Sequence, residues 1–167
     1  FDAAAPIVSL SSLDKNYYFV GNRYDKSMDH GSSGDYVNCT MTKEQYDEFY
    51  NALISAKTVE LHDFENKKVF EGCMPVEVMA KRGYKTLLYG MLKPVGLFDK
   101  EHNLKPYAVL QLRKESNFND LYNMVGFQTN LLFGEQKRVF SLIPALKNAD
   151  IVKYGVMHNN TYLNAPR

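Results

Sequence analysis

The 167-residue chain has no tryptophan, only two cysteines and no long hydrophobic run. The cysteines, Cys39 and Cys73, are too few for a disulfide framework, and their scarcity beside seven methionines is typical of a reducing compartment. No apolar run approaches the roughly 20 residues that span a bilayer, and the first residues lack the basic and apolar regions of a secretory signal. We therefore expect a cytoplasmic protein with no membrane partner.

The sequence also lacks the common cofactor-binding and catalytic signatures. It contains no G-x-G-x-x-G fingerprint, no P-loop and no G-x-S-x-G elbow. The four histidines and two cysteines fall in no metal-ligand spacing. We therefore predict no metal site, and no site by which this chain alone holds a dinucleotide or ATP.

The sequence predicts three helices, two of them from the residues at their start. Thr42 followed by Gln45 is a capping box, and the apolar residues after it recur at helical spacing until about residues 56–57. Pro75 marks the start of a second helix, whose inward face consists of apolar residues. These are Val76, Met79 and Ala80. Residues 134–140 open a third helix, which Pro144 ends.

The remaining segments predict strands and loops. Residues rich in β-branched and aromatic side chains favour strands, at 7–10 (a short strand or a connection), 69–74, 86–97, 107–113, 121–127 and 151–157. Residues 21–40 are rich in Gly, Asp, Ser and Asn, which predicts a loop containing Cys39. With 45% hydrophobic residues the chain can bury the core of one domain. We predict a single α+β domain with a mostly antiparallel or mixed sheet and two or three helices.

Charge is distributed unevenly although the formal net charge is only +1. Residues 1–66 carry 5 basic and 11 acidic side chains, whereas residues 67–114 carry 10 basic and 4 acidic ones. The basic middle third is a candidate surface for a polyanion. Chance clustering of surface lysines accounts for the same counts equally well.

Cys73 is a candidate nucleophile because it lies just before the predicted helix at Pro75. Free backbone N–H groups and the dipole at a helix start lower a thiol pKa and favour the thiolate, and Lys81 and Arg82 follow within two turns. Glu77 adds opposing charge; it either accepts a hydrogen bond from a backbone amide or relays a proton. A small buried cysteine is the open alternative.

Lys137 and Arg138 follow the predicted helix start at Gly134, where cations oppose the helix dipole. A bound phosphate would reconcile them with that position. The alternative is that Glu135 satisfies the dipole and both cations are solvated.

Seven segments, in order along the whole chain, carry a family resemblance. They are FDAAAPIV at 1–8, FEGCMPVEVMA at 70–80, KPVGL at 93–97, PYAV at 106–109, VGFQT at 125–129, GEQKRV at 134–139 and YGVMH at 154–158. With these segments the chain resembles the bacterial folate- and FAD-dependent tRNA (uracil-5-)-methyltransferases.

The resemblance implies that residues 1–167 are the insertion domain of a larger flavoenzyme, whose FAD-binding domain lies elsewhere in the same polypeptide. The intact enzyme would form 5-methyluridine in the tRNA T-loop with 5,10-methylenetetrahydrofolate, reduced FAD and NAD(P)H. We expect none of these cofactors to be bound to residues 1–167 alone.

The resemblance also implies roles for individual residues. Cys73 would be the thiolate that adds to C6 of the uracil, while Lys81, Arg82, Lys137 and Arg138 would contact phosphates of the tRNA. A free-standing RNA-binding module without catalysis is the alternative function.

Overall fold

The computed structural model describes residues 2–25, 35–59, 74–115 and 120–158. These residues form one α+β domain with three α-helices, which confirms the predicted fold class. The helices are α1 (Lys43–Ser55), α2 (Val76–Lys81) and α3 (Phe133–Phe140). The strands are β1 (Asp2–Ala4), β2 (Ile7–Ser9), β3 (Tyr18–Gly21), β4 (Tyr36–Met41), β5 (Ala108–Lys114), β6 (Leu121–Met124), β7 (Ile151–Lys153) and β8 (Val156–His158).

Six strands form one sheet in the order β3-β4-β5-β6-β2-β7, and β1 pairs with β8 in a separate two-stranded ribbon. Every pairing is antiparallel. Successive residues of a strand point to opposite faces, so Leu110 of β5 lies in the main core with the helices, whereas Val109 packs on the other face with Phe19 and Leu97. Both faces of the central strands are therefore covered.

Helix α1 begins and ends as its sequence predicts. Thr42 Oγ1 accepts a hydrogen bond from Gln45 N at 3.2 Å, and Thr42 N donates to Gln45 Oε1 at 2.8 Å, which is the predicted capping box. The apolar stripe of the helix is buried in the core, where Phe49 stacks on Phe127 with ring centroids 6.2 Å apart. Aromatic residues at this spacing are thus packing residues.

Helix α2 also lies where it was predicted. Pro75 is the N-cap residue of the helix and has an extended backbone, with φ −60° and ψ 144°. Val76 and Ala80 are fully buried and Met79 packs against the core from a partly buried position, so the predicted inward face is confirmed.

Two assignments were wrong. Residues 21–40 were predicted as a loop. Residues 26–34 of this stretch lie outside the described residues. The prediction was wrong from Tyr36 onward, where β4 begins, and Cys39 is fully buried in that strand, where burial raises the pKa of its thiol. Residues 86–97 were predicted as a strand but form successive turns around a 3-10 helix at Leu87–Tyr89. The turns contain leucines because they pack against the core, where Leu87, Leu88 and Leu92 are buried.

The last predicted strand, 151–157, is two strands: β7 joins the large sheet beside β2, and β8 pairs with β1. The predicted strand over 69–74 lies outside the described residues apart from Met74. None of the helices in the described ranges has the length and hydropathy to cross a membrane.

Candidate functional site around helix α2

Helix α2 is the described element nearest in sequence to the predicted nucleophile. Cys73 itself lies outside the described residues, and the described chain resumes at Met74. The first helical amide, Val76 N, donates to Gln128 O at 2.8 Å. The start of the helix is therefore joined to the segment that carries the VGFQT motif.

Glu77, in the first turn of α2, makes the strongest connection to that segment. Only 2% of Glu77 is exposed. Its Oε1 accepts a hydrogen bond from Thr129 Oγ1 at 2.6 Å, and its Oε2 accepts one from Asn130 N at 2.8 Å. Thr129 Oγ1 in turn accepts a hydrogen bond from Leu131 N at 3.0 Å. The carboxylate thus fixes the start of α2 against residues 129–131.

The surroundings of Glu77 also determine what its carboxyl group can do. Burial raises its pKa, while the hydrogen bonds from Thr129 and Asn130 and the charge of Lys81 act in the opposite direction. Both oxygens accept hydrogen bonds within the fold, one of them from a backbone amide. Of the two roles considered for Glu77, this geometry favours the amide contact, and the described contacts provide no path for a proton relay.

Gln136 of α3 also connects segments that are separate in the sequence. It is fully buried. Its Nε2 donates to Leu131 O and to Gly155 O, both at 2.9 Å, and its Oε1 accepts from Gly155 N at 2.8 Å. The sequence reasoning missed Gln136, Thr129 and Asn130, although Thr129 and Gln136 lie inside the quoted motifs.

Gly155 is the point where several motif segments meet. A Cβ atom on this residue would lie 2.8 Å from Thr129 Cγ2, 3.1 Å from Pro6 Cδ and 3.2 Å from Ala4 O. The motifs at 1–8, 70–80, 125–129, 134–139 and 154–158 are therefore connected in one region by direct contacts, beside the β1–β8 ribbon.

Lys81 and Arg82 lie at the carboxyl end of α2 and are exposed. Among the contacts of the described residues, neither side chain forms an ion pair or a hydrogen bond. Because a six-residue helix is only about 9 Å long, both cations lie within about 9 Å, along the helix axis, of the start of α2. The structure thus places the first predicted cation pair where an anionic ligand could reach it.

Lys137 and Arg138 already have protein partners. Lys137 Nζ donates to Ala149 O at 2.6 Å, and Arg138 donates to both oxygens of Glu135 at 3.0 Å. Glu135 also accepts from Lys57 N at 2.8 Å, and these bonds lower its pKa to about 2.

The position of Lys137 and Arg138 within α3 corrects the argument about the helix dipole. The helix starts at Phe133 and has eight residues, so both cations lie in its last turn, where positive charge is favourable. The prediction that these cations oppose the helix dipole was wrong, so no bound phosphate is needed to account for their position.

The described residues do bring one group of potential metal ligands together. The ligand atoms of Asp99, Glu101 and His102 lie within 4.8 Å of one another. Asp99 is buried and accepts from His102 N at 3.0 Å, with His102 Nδ1 at 2.6 Å. We interpret this arrangement as the cap of a turn, which the bridge between Asp99 and Leu104 closes.

Comparison with known proteins identifies relatives over the whole chain. The profile of the family "Glucose inhibited division protein A" matches residues 1–167. The chain is 57% identical over 166 residues to the methylenetetrahydrofolate–tRNA-(uracil-5-)-methyltransferase TrmFO of Lactobacillus gasseri, with 99% of the chain aligned. The proteins of the same name from Brevibacillus brevis and Listeria innocua are each 55% identical, over 100% and 99% of the chain. The chain spans 37% of the length of each of these relatives.

Proposed function

The chain belongs to the Glucose inhibited division protein A family, and we propose that it is the tRNA-binding, nucleophile-bearing domain of a folate-dependent tRNA (uracil-5-)-methyltransferase. The observation that carries the proposal is the 57% identity over 99% of the chain to a protein of that name. The product would be 5-methyluridine in the T-loop of tRNA. We place this reaction in the cytoplasm.

In this proposal the redox chemistry takes place outside residues 1–167. In the intact enzyme 5,10-methylenetetrahydrofolate supplies the one-carbon unit, and FAD, reduced by NAD(P)H, supplies electrons. The chain has no glycine-rich dinucleotide fingerprint, so its residues do not fit the FAD pyrophosphate. We therefore place the flavin in another domain of the same polypeptide. A protein limited to residues 1–167 should purify without flavin absorbance, and stoichiometric flavin in it would contradict this placement.

The role proposed for this chain is to activate the uracil. The Cys73 thiolate adds to C6, and the electron pair of the C5–C6 bond makes C5 nucleophilic toward the one-carbon unit. Loss of the C5 proton, release of tetrahydrofolate, departure of the thiolate and the two electrons that reduced FAD would supply then give the 5-methyl group and restore the ring. Support comes from the first turn of α2, which Val76 and Glu77 hold against residues 128–130. The first turn of α2, which begins three residues after Cys73 in the sequence, is therefore held in place by the fold.

The test is covalent trapping in the full-length enzyme, with tRNA that carries 5-fluorouridine at the target position. We expect the cross-linked peptide to contain Cys73. Cys73→Ala should abolish methyl transfer and leave flavin binding and its reduction by NAD(P)H intact. Cys39→Ala is the matched control, because Cys39 is buried in β4 and should form no adduct. An adduct on a cysteine outside this chain, with Cys73→Ala still active, would exclude Cys73 as the nucleophile.

We propose Lys81, Arg82, Lys137 and Arg138 as phosphate contacts of the tRNA. The first pair is exposed and unpaired among the described contacts, whereas the second pair must exchange Ala149 O and Glu135 for phosphate. Charge reversal of Lys81 and Arg82 should lower the slope of log affinity against log salt by roughly one per contact. An unchanged affinity after charge reversal of Lys137 and Arg138 would remove that pair from the interface.

A further inference from the structure

The segment from residue 78 to residue 98 contains no aspartate or glutamate and four cations. The cations are Lys81, Arg82, Lys85 and Lys93. Within the described ranges none of their side chains forms an ion pair or a hydrogen bond, in contrast to Lys43, which pairs with Asp47, and Arg138, which pairs with Glu135. The charge of Lys81 acts on Glu77, which lies just before this segment, whereas residues 78–98 offer no acid to the other three cations.

Tyr89 lies in the middle of this segment and is the most exposed large apolar side chain of the described residues, at 75%. Tyr89 N donates to Lys85 O at 3.1 Å, an i to i+4 contact that places the two side chains on one side of the turn. Leu87 and Leu88, immediately before Tyr89, are buried in the core. The backbone is thus anchored while the ring faces outward.

The turn that carries Tyr89 packs against the elements of the candidate site. A Cβ on Gly90 would lie 4.0 Å from Met79 Cε of α2, and a Cβ on Gly126 would lie 2.9 Å from Met91 Cβ. The turn therefore contacts both α2 and the VGFQT segment. Residues Lys81, Arg82, Lys85, Tyr89 and Lys93 form what we call the 81–93 surface.

Resting on the proposed function, we propose that the 81–93 surface binds an unpaired stretch of the RNA substrate, with one base stacked on Tyr89 and the cations on the adjoining phosphates. Proteins bind single-stranded RNA by combining cations along the backbone with aromatic rings on which bases stack. A base-paired stem exposes phosphates but no free base face. The cations therefore contribute to binding any RNA, and Tyr89 selects loops.

The experiment measures the affinity of the full-length protein for an RNA stem-loop and for a blunt duplex with the same number of phosphates. Tyr89→Ala should weaken stem-loop binding at least about fivefold and leave duplex binding unchanged, whereas Tyr89→Phe should retain both. Lys85→Glu should weaken both and reduce the salt slope by about one. Tyr17→Ala is the control, because Tyr17 is an exposed tyrosine outside the 81–93 surface.

Equal stem-loop affinity of the wild type and Tyr89→Ala would overturn the proposal. The same holds if Tyr89→Ala lowers the melting temperature without changing RNA binding, because the ring would then pack against another part of the protein. Absence of methyl transfer by the wild-type enzyme, with the stem-loop effect of Tyr89→Ala still present, would instead refute the proposed function and retain the RNA surface.

Discussion

Replacing Glu77 by alanine tests whether one buried carboxylate holds the candidate site together. The substitution leaves the Thr129 hydroxyl and the Asn130 amide without their acceptor, and both residues are buried. An unsatisfied buried donor costs about 1–3 kcal/mol, and relief from burying an acidic group offsets part of the sum, so we expect a net loss of about 2–4 kcal/mol.

Thermal unfolding of the purified protein measures this loss. At about 2–4 °C per kcal/mol for a chain of this size, the melting temperature should fall by roughly 5–15 °C. Glu44→Ala is the matched control, since Glu44 occupies the first turn of α1 but is exposed. If Glu77→Ala melts within about 1 °C of the wild type, the carboxylate does not hold α2 to residues 129–130.

The pH dependence of Glu77 has a definite sign. Burial raises its folded-state pKa, so the folded protein retains this proton more tightly than the unfolded chain. The resulting stabilisation is complete below the ordinary value of 4.5 and is lost as the pH rises through the folded pKa. Glu77→Gln does not titrate and keeps one acceptor oxygen. The stability of the wild type relative to Glu77→Gln should therefore decline with rising pH, and an increase would contradict the assigned cause.

Two further substitutions test neighbouring contacts. Gly155→Ala should lower the free energy of unfolding in urea by about 1–3 kcal/mol, because the new Cβ would lie 2.8 Å from Thr129 Cγ2. Gly134→Ala is the control and should leave the stability unchanged, because a Cβ on Gly134 would have no atom within 4 Å. Glu135→Gln should destabilise the protein at neutral pH. The depressed pKa of Glu135 contributes stability at pH values above its ordinary pKa of 4.5, and this stability is lost as the pH falls toward about 2. If Glu135→Gln lowers stability equally at pH values near 2, the result would be inconsistent with the ion pair.

The elements that were predicted correctly are those with local signals. The capping box at Thr42 and Gln45 and the proline before α2 act on the residues beside them, so their sequence neighbourhood determines the outcome. The strand predicted at 107–113 is β5, whose apolar residues are continuous because both of its faces are covered. In each case the local preference agrees with the tertiary structure.

The wrong assignments arose where tertiary contacts satisfy residues that are locally typical of another structure. The Gly, Asp, Ser and Asn content of residues 21–40 is typical of a loop. Within β4, however, the side-chain amide of Asn38 donates to Phe19 O and Gly21 O and accepts from Gln111 Nε2 at 2.9 Å. The leucines of residues 86–97 resemble a strand, yet the core buries them in turns. Composition cannot separate these cases, because the deciding partners are distant in sequence.

The interpretation of Lys137 and Arg138 depended on their position in the helix and on the groups that their side chains contact. Lys137 and Arg138 attracted a phosphate interpretation because their helix was expected to start at Gly134 and continue past them. The helix ends at Phe140, which places both cations in the favourable last turn. There Lys137 donates to Ala149 O, and Arg138 donates to Glu135. Whether a cation is free to meet RNA depends on such partners, which only the folded chain specifies. The cations of the 81–93 surface form no hydrogen bond or ion pair among the described residues, so we expect the RNA backbone to follow that surface before it reaches α3.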